Sequence, residues 1–275
     1  MKQWTEQELN ICTTISESYP KNYYSWTHRR FVIDTLLSLY HHPYHHHQQQ
    51  QQHLLSSYIW NTIVLDFEMI YTIWIPKHIS DHSAVHYGGE LLRLLLYSND
   101  FNDNHSSSIG RMEEQEWKTN MKDKIRIVLL HSQELIQKHP ANEVIWIWRR
   151  ICSQIYIESI EDTDIVDIFV QNEINIFLTT YDDESDQQRS SNDTTTMILH
   201  DKYYQQKSIL YRKTYILWLL EHFQRQKCNI LRQELMDLQS TLIRSLGLQE
   251  EIDDGTVIPF SNLWQIKSNS AVSTT

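Results

Sequence analysis

Residues 19–30 read YPKNYYSWTHRR and bring a lysine, paired tyrosines, a histidine and a double arginine into twelve positions. His28, Arg29 and Arg30 supply an imidazole and two guanidinium groups. Guanidinium forks suit carboxylates, helix C-termini or the surface of a protein partner. The double arginine recurs as Arg149-Arg150. Taken alone, Lys21 and Tyr23 read as a solvated turn residue and a partly buried aromatic. His78, His82 and His86 stand at i, i+4 and i+8, a spacing that could face a metal. However, His78 and His86 straddle the helix start expected at Asp81, and no HExxH accompanies them, so no metal site is assigned. Gly88-Gly89 lacks the strand–loop–helix setting of a phosphate loop, and no GxSxG elbow occurs. The chain alone shows no complete active site.

The elements that hold these residues repeat. Asn22-Tyr23-Tyr24-Ser25-Trp26-Thr27-His28-Arg29-Arg30 aligns with Asn142-Glu143-Val144-Ile145-Trp146-Ile147-Trp148-Arg149-Arg150, and Pro20 with Pro140. Weaker copies start at Asp81 and Gln205, so the anchors lie 59, 61 and 63 residues apart. Asn22, Asp81 and Asn142 are good N-caps. The fourth position after the cap reads Trp26, Val85, Trp146 and Ile209. The tenth reads Val32, Leu91, Cys152 and Tyr215, and the fourteenth Leu36, Leu95, Tyr156 and Leu219. Residues at i and i+4 share a helix face, so each copy presents the same stripe to a core. The sixth position is aromatic or imidazole throughout: His28, Tyr87, Trp148, Tyr211.

A second amphipathic stretch precedes each copy. Leu55, Ile59, Ile63, Asp66 and Ile70 trace one; Trp117, Met121, Ile125 and Val128 another; Phe169, Ile174 and Phe177 a third; and residues 4–18 a shorter one. The unit is therefore a helix pair with a capped turn. Stacked pairs predict an all-α, right-handed α-α superhelix in which no pair buries its own face alone. The expected organisation is one helical-repeat domain over 1–248, with pairs near 3–40, 54–97, 116–159 and 163–222. A last helix over 229–247 carries Leu231, Leu235, Leu238 and Leu242. Low-complexity inserts at 41–53, 98–109 and 181–196, and a C-terminal segment 249–275 disordered from about 265, lack the apolar residues to pack.

Composition fits this reading. Gly and Pro number five each in 275 residues, which leaves long uninterrupted helical segments. The net charge of −11 argues against nucleic-acid binding. Cys12, Cys152 and Cys228 are far apart and form no CxxC, which fits a reducing compartment. The polar start MKQWTEQELN carries no secretion signal, and no apolar run is long enough to span a membrane. A cytoplasmic protein is expected.

The segment PKNYYSWTHRR resembles the repeat signature of protein prenyltransferase α subunits, Pro-x-Asn-Tyr-x-x-Trp-x-His-Arg-Arg. HPANEVIWIWRR keeps its Pro, Asn, Trp and paired Arg. ISDHSAVHY looks like the divergent repeats of α-like, repeat-containing relatives in animals, and the similarity of pattern covers roughly residues 3–222. The resemblance implies a crescent of helix pairs around a β subunit that carries a zinc ion and most of an isoprenoid pocket; no cofactor is expected in this chain. It implies transfer of a farnesyl or geranylgeranyl group from its diphosphate to a protein cysteine. By that resemblance Lys21 and Tyr23 face the diphosphate at the subunit interface, where an ammonium and a phenol suit the charge growing on the leaving group. His28, Arg29, Arg30, Arg149 and Arg150 are partner-facing candidates, while Asn22, Trp26, Asp81, Val85, Asn142 and Trp146 form the structural repeat core.

The copies also depart from the signature. His28-Arg29-Arg30 becomes Tyr87-Gly88-Gly89 in the second, and adjacent glycines cost a helix about 1 kcal/mol each. Ser80 and His82, then Ala141 and Glu143, replace Lys21 and Tyr23. The alternative function is a non-enzymatic helical-repeat adaptor that kept the fold without a transferase partner.

Overall fold

The computed structural model describes residues 1–40, 49–97, 108–179, 195–225 and 240–241. All regular structure among them is helical: α1 (Lys2–Ser18), α2 (Tyr23–Tyr40), α3 (Gln49–Met69), a π-turn (Ile70–Trp74), α4 (Ile75–Lys77), α5 (His82–Tyr97), α6 (Ser108–Lys138), α7 (Glu143–Glu158), α8 (Thr163–Thr179) and α9 (Thr195–Arg225). The fold is all-α. Two compact units divide the chain, Met1–Ser159 and Ile160–Thr275.

The first unit holds three helix pairs built on one turn. In each, the residue after the first helix donates its N–H to the carbonyl four positions back: Tyr19 to Ile15 at 2.9 Å, His78 to Trp74 at 2.8 Å and His139 to Leu135 at 2.9 Å. The cap residue closes the turn. Asn22 Oδ1 accepts from the Tyr24 amide at 3.1 Å, Asp81 Oδ1 from the Ser83 and Ala84 amides at 3.1 and 3.2 Å, and Asn142 Oδ1 from Val144 at 3.0 Å. Each cap satisfies orphan donors of the first turn that would otherwise need water. The expected stripe faces inward: Trp26, Val32 and Leu36 in α2, Val85, Leu91 and Leu95 in α5, and Trp146, Cys152 and Tyr156 in α7 are all buried. The partner stripe of Ile59, Ile63 and Ile70 in the second pair, and of Met121, Ile125 and Val128 in the third, is buried too.

The π-turn inserts one extra residue into the first helix of the second pair. It sets Trp74 against Trp26 edge-on, with ring centroids 5.1 Å apart. Both indoles donate to Asp81 Oδ2, Trp26 at 3.1 Å and Trp74 at 3.0 Å. Asp81 is thus both a cap and the junction of the first two pairs. At the next junction, Asn142 Nδ2 donates to Ser80 Oγ at 3.2 Å, so neighbouring capped turns lie side by side.

In the second unit α8 buries Val166, Val170, Ile174 and Phe177, and α9 buries Tyr215, Leu219 and Leu220. Phe177 meets Tyr215 edge-on at 5.4 Å, and Tyr215 donates its hydroxyl to Glu173 at 2.6 Å.

Several sequence expectations change. Gln205 starts no helix; it lies ten residues inside α9, whose 31 residues run without a break. Gln205 has no capping side chain of the Asn or Asp kind, and nothing near it breaks a helix. Residues 49–53, 108–109 and 195–196, assigned to inserts and polar but for Ile109, lie in the first turns of α3, α6 and α9. Once a helix is nucleated by its packed portion, each added polar residue gains a backbone bond at little cost. The cores of those inserts, Cys228, most of the expected helix 229–247 and the segment 249–275 lie outside the described residues.

Candidate functional site

The first capped turn carries the residues singled out for anion chemistry. Lys21 sits directly before the cap with φ of 65°, in the left-handed region that non-glycine residues enter at a cost of about 1–2 kcal/mol. It is the one non-glycine residue with positive φ among those described. Its side chain is exposed. Tyr23, the first residue of α2, is 64 % exposed and meets Tyr24 edge-on at 5.9 Å. An ammonium and a phenol therefore stand open at the N-terminus of an 18-residue helix, where unpaired amides and the helix dipole favour negative charge.

The rest of the motif turns inward. Arg29 is 4 % exposed and Asp66 5 %. Arg29 Nε lies 3.0 Å from both Asp66 oxygens, and Nη2 also bonds Oδ1. Nη1 donates to Leu9 O at 3.0 Å and to Thr13 Oγ1 at 2.8 Å. Tyr87 adds its hydroxyl to Asp66. Burial works against the guanidinium charge, and Asp66 outweighs it, holding the Arg29 pKa above its ordinary value. Burial first, then Asp66, pushes the Tyr87 phenol well up, so it stays a donor. One cluster thereby ties α1, α2, α3 and α5 together.

Arg149 is likewise buried, donating to Leu129 O and, at 2.9 Å, to Ser132 Oγ of α6. Of the partner-facing candidates, Arg29 is buried with every nitrogen of its fork bonded to groups of this chain, and Arg149 is buried against α6. Arg30 is half-buried and bonds Asp34 at 2.8 Å and Glu90 at 2.6 Å. His28 is exposed and meets Glu8 at 2.8 Å. Arg150 is partly buried; burial lowers its pKa and Glu143 opposes that. Among the structural core residues, Trp146 donates its indole N–H to Pro140 O at 2.8 Å, and Val85 is fully enclosed.

Gly88 and Gly89 make close packing possible, a role hidden from propensity alone. A Cβ on Gly88 would lie 2.9 Å from Ile70 Cγ2 and 3.2 Å from the Trp148 ring; one on Gly89 would lie 2.7 Å from Ile151 Cγ2. The loss of the arginine pair in the second copy lets α5 and α7 approach. The sequence signal for Asp66 was a carboxylate on an otherwise apolar stripe between Ile63 and Ile70.

Among the described residues no group of three His, Cys, Asp or Glu side chains could hold a metal ion, and no helix is long and apolar enough to cross a membrane.

Capped helix pairs, a common buried stripe and cap-to-indole junctions define a helical-repeat protein of helix-turn-helix units. Residues 5–36, essentially the α1–α2 pair, match the family described as protein prenyltransferase alpha subunit repeat. The first helix pair thus carries that repeat. The chain is 26 % identical over 156 residues to protein prenyltransferase alpha subunit repeat-containing protein 1 of Danio rerio, covering 53 % of this chain and 32 % of that one. It is 26 % identical over 160 residues to repeat-containing protein 1-A of Xenopus laevis, with the same shares. The Homo sapiens repeat-containing protein 1 is 25 % identical over 160 residues, 53 % of this chain and 35 % of its own. The chain thus spans about a third of the length of these curated relatives. No solved structure matches it.

Proposed function

We propose that the chain is the α-like subunit of a cytoplasmic, heterodimeric protein prenyltransferase. Its helix pairs, continued as a right-handed superhelix, would hold a β subunit and shape the approach of a protein substrate with a prenylatable cysteine. The observation that carries this reading is Lys21, kept in a left-handed conformation and open to solvent beside Tyr23, in the copy with the full motif. Strained backbone persists where its surroundings enforce it and concentrates at functional sites. Zinc in the β subunit would supply the substrate as a thiolate. The sulfur attacks the isoprenoid carbon bonded to diphosphate, the carbon–oxygen bond breaks, and the diphosphate leaves with that electron pair. Lys21 would meet the growing charge with its ammonium, and Tyr23 with a phenolic hydrogen bond. Both groups belong to the turn rather than the core, so the chain supplies charge while the partner supplies the thiolate.

A second reading, the non-enzymatic adaptor, is favoured by Ser80 and His82, and by Ala141 and Glu143, which replace the Lys–Tyr pair in the other copies. Coexpression with candidate prenyltransferase β subunits, size exclusion and a labelled-isoprenoid transfer assay separate the two. A stable heterodimer with transfer supports the subunit. A chain that folds, binds no β subunit and transfers nothing supports the adaptor.

A further inference from the structure

One buried carboxylate plays no part in the proposed chemistry. Glu173 of α8 is 3 % exposed and accepts a 2.6 Å hydrogen bond from the hydroxyl of Tyr215, itself buried in α9. Asp66 and Tyr87 make the same contact in the second helix pair, where both are buried and the phenol donates to the carboxylate. The likeness extends along both helices. Ile59, Ile63, Phe67 and Ile70 stand at −7, −3, +1 and +4 from Asp66 and are buried. Val166, Val170, Ile174 and Phe177 stand at the same distances from Glu173 and are buried too. Leu91 and Leu92 follow Tyr87 by four and five residues, as Leu219 and Leu220 follow Tyr215, all in the core. Tyr215 rather than Tyr211 is therefore the sixth-position residue of the α8–α9 pair, and its count starts at Ile209, inside the unbroken α9.

In the second pair the carboxylate and the phenol hold a guanidinium: Arg29 Nε lies 3.0 Å from both Asp66 oxygens. These three groups occur together or not at all. In α6 the column of Asp66 is filled by Val128, with Met121, Ile125 and Leu129 buried at −7, −3 and +1 around it. There the sixth position carries Trp148 in place of the phenol. The seventh position of the copy before it carries Gly88 in place of an arginine, with the Trp148 ring packed against it. The reason is electrostatic. A carboxylate taken out of water needs an opposite charge beside it, and a guanidinium needs a carboxylate, so neither is stable in the interior without the other.

We propose that Glu173 and Tyr215 form a seat for an arginine guanidinium of this chain, held as Asp66 and Tyr87 hold Arg29. The ligand is a guanidinium rather than an ammonium. A planar fork reaches both carboxylate oxygens and keeps an edge for a backbone carbonyl, as Arg29 does with Leu9 O, whereas a lysine nitrogen is a single point of charge. The donor is expected seven residues after a cap. Counted from Asn22, Asp81 and Asn142, that position holds Arg29, Gly88 and Arg149, and Arg149 is 2 % exposed. The α8–α9 pair thereby has the recognition chemistry of the second pair. Neither the transferase nor the adaptor reading requires it.

NMR of the full chain carrying isotope-labelled arginine reads the seat directly. A guanidinium forked onto a buried carboxylate turns slowly about its Nε–Cζ bond and shows separate Nη signals, which exposed arginines average. Arg29 supplies one such set. A second set is expected in the wild type, and Glu173→Gln is expected to abolish it while the Arg29 set persists. Arg149→Lys is expected to remove the same second set; a set lost in Glu173→Gln but kept in Arg149→Lys supports the seat and assigns it to another arginine of the chain. If no arginine set responds to Glu173→Gln, the proposal is overturned. Should Glu173→Gln disturb folding in circular dichroism, the wild type alone decides. An Overhauser contact between a guanidinium N–H and the Tyr215 ring, assigned with Tyr215→Phe, is expected there, and its absence overturns the proposal.

Discussion

Replacing Arg29 by alanine removes the central donor of a cluster buried on every side. Asp66 loses the bonds from Nε and Nη2 and keeps only the Tyr87 hydroxyl, while Leu9 O and Thr13 Oγ1 lose the Nη1 donor. Removing one partner of a buried ion pair leaves an uncompensated charge and costs about 3–5 kcal/mol. That is a fifth or more of the stability of an ordinary domain. At about 2–4 °C per kcal/mol for a chain of this size, Tm should fall by roughly 6–20 °C. Chemical denaturation of wild type and Arg29→Ala measures the loss. The double variant Arg29→Met with Asp66→Leu is the control, since apolar side chains of similar volume often replace a buried pair at little cost. Its stability should lie within about 1 kcal/mol of wild type, giving a large coupling in the double-mutant cycle. Arg30→Ala, which cuts bonds to Asp34 and Glu90 at a half-exposed site, should cost under about 1 kcal/mol. Equal losses at Arg29 and Arg30, or a loss below about 1 kcal/mol at Arg29, would refute the division of the motif into a buried and a surface arginine.

Asp81→Ala removes a cap and strands the buried Trp26 and Trp74 indole N–H groups, so a loss of about 3 kcal/mol or more is expected in urea titration. Gly88→Ala sets a helix-propensity gain of about 1 kcal/mol against overpacking of about 1–3 kcal/mol. The contacts with Ile70 and Trp148 make the net change a destabilisation, and a higher Tm would show the α5–α7 seam to be loose. Lys21→Gly relieves the left-handed strain at the cost of a more flexible unfolded chain, for a net gain of about 0.5–1 kcal/mol; a loss on denaturation would contradict that strain. Burial lowers the His131 pKa from 6.5, with Glu134 opposing. The folded value thus lies below the unfolded one. The stability this lends is complete above about pH 6.5 and is lost as pH falls through the folded value. His131→Phe should therefore narrow the gap in denaturation midpoint between about pH 7.5 and about pH 5; an unchanged gap would exclude His131 as its source.

The helix pairs were legible because caps and stripes are local. Asn22, Asp81 and Asn142 announce helix starts by side-chain chemistry, and the buried columns at +10 and +14 follow from helical spacing alone. Gln205 misled because an aromatic and aliphatic stripe continues through it without a capping residue, and only tertiary structure shows one unbroken helix there. Lys21 and Tyr23 could be found through their motif, but the positive φ of Lys21 could not, since nothing in its side chain demands it. The inward turn of Arg29 was hidden as well. Its partner Asp66 lies 37 residues away, and pairing at that distance depends on how the pairs stack. Gly88 and Gly89 read as a weakness in a helix until Trp148 and Ile151 are seen filling the space they leave. The π-turn has no mark in the sequence beyond Pro76 shortly after it.

Labelled-isoprenoid transfer by this chain coexpressed with a prenyltransferase β subunit, wild type beside Lys21→Ala at equal heterodimer concentration, tests the central claim most directly. An intact heterodimer is expected in both cases, with turnover reduced about ten- to a thousandfold in the variant, the scale of losing one preorganised charge contact to a leaving group. Equal turnover, or no heterodimer with any β subunit, would contradict that claim.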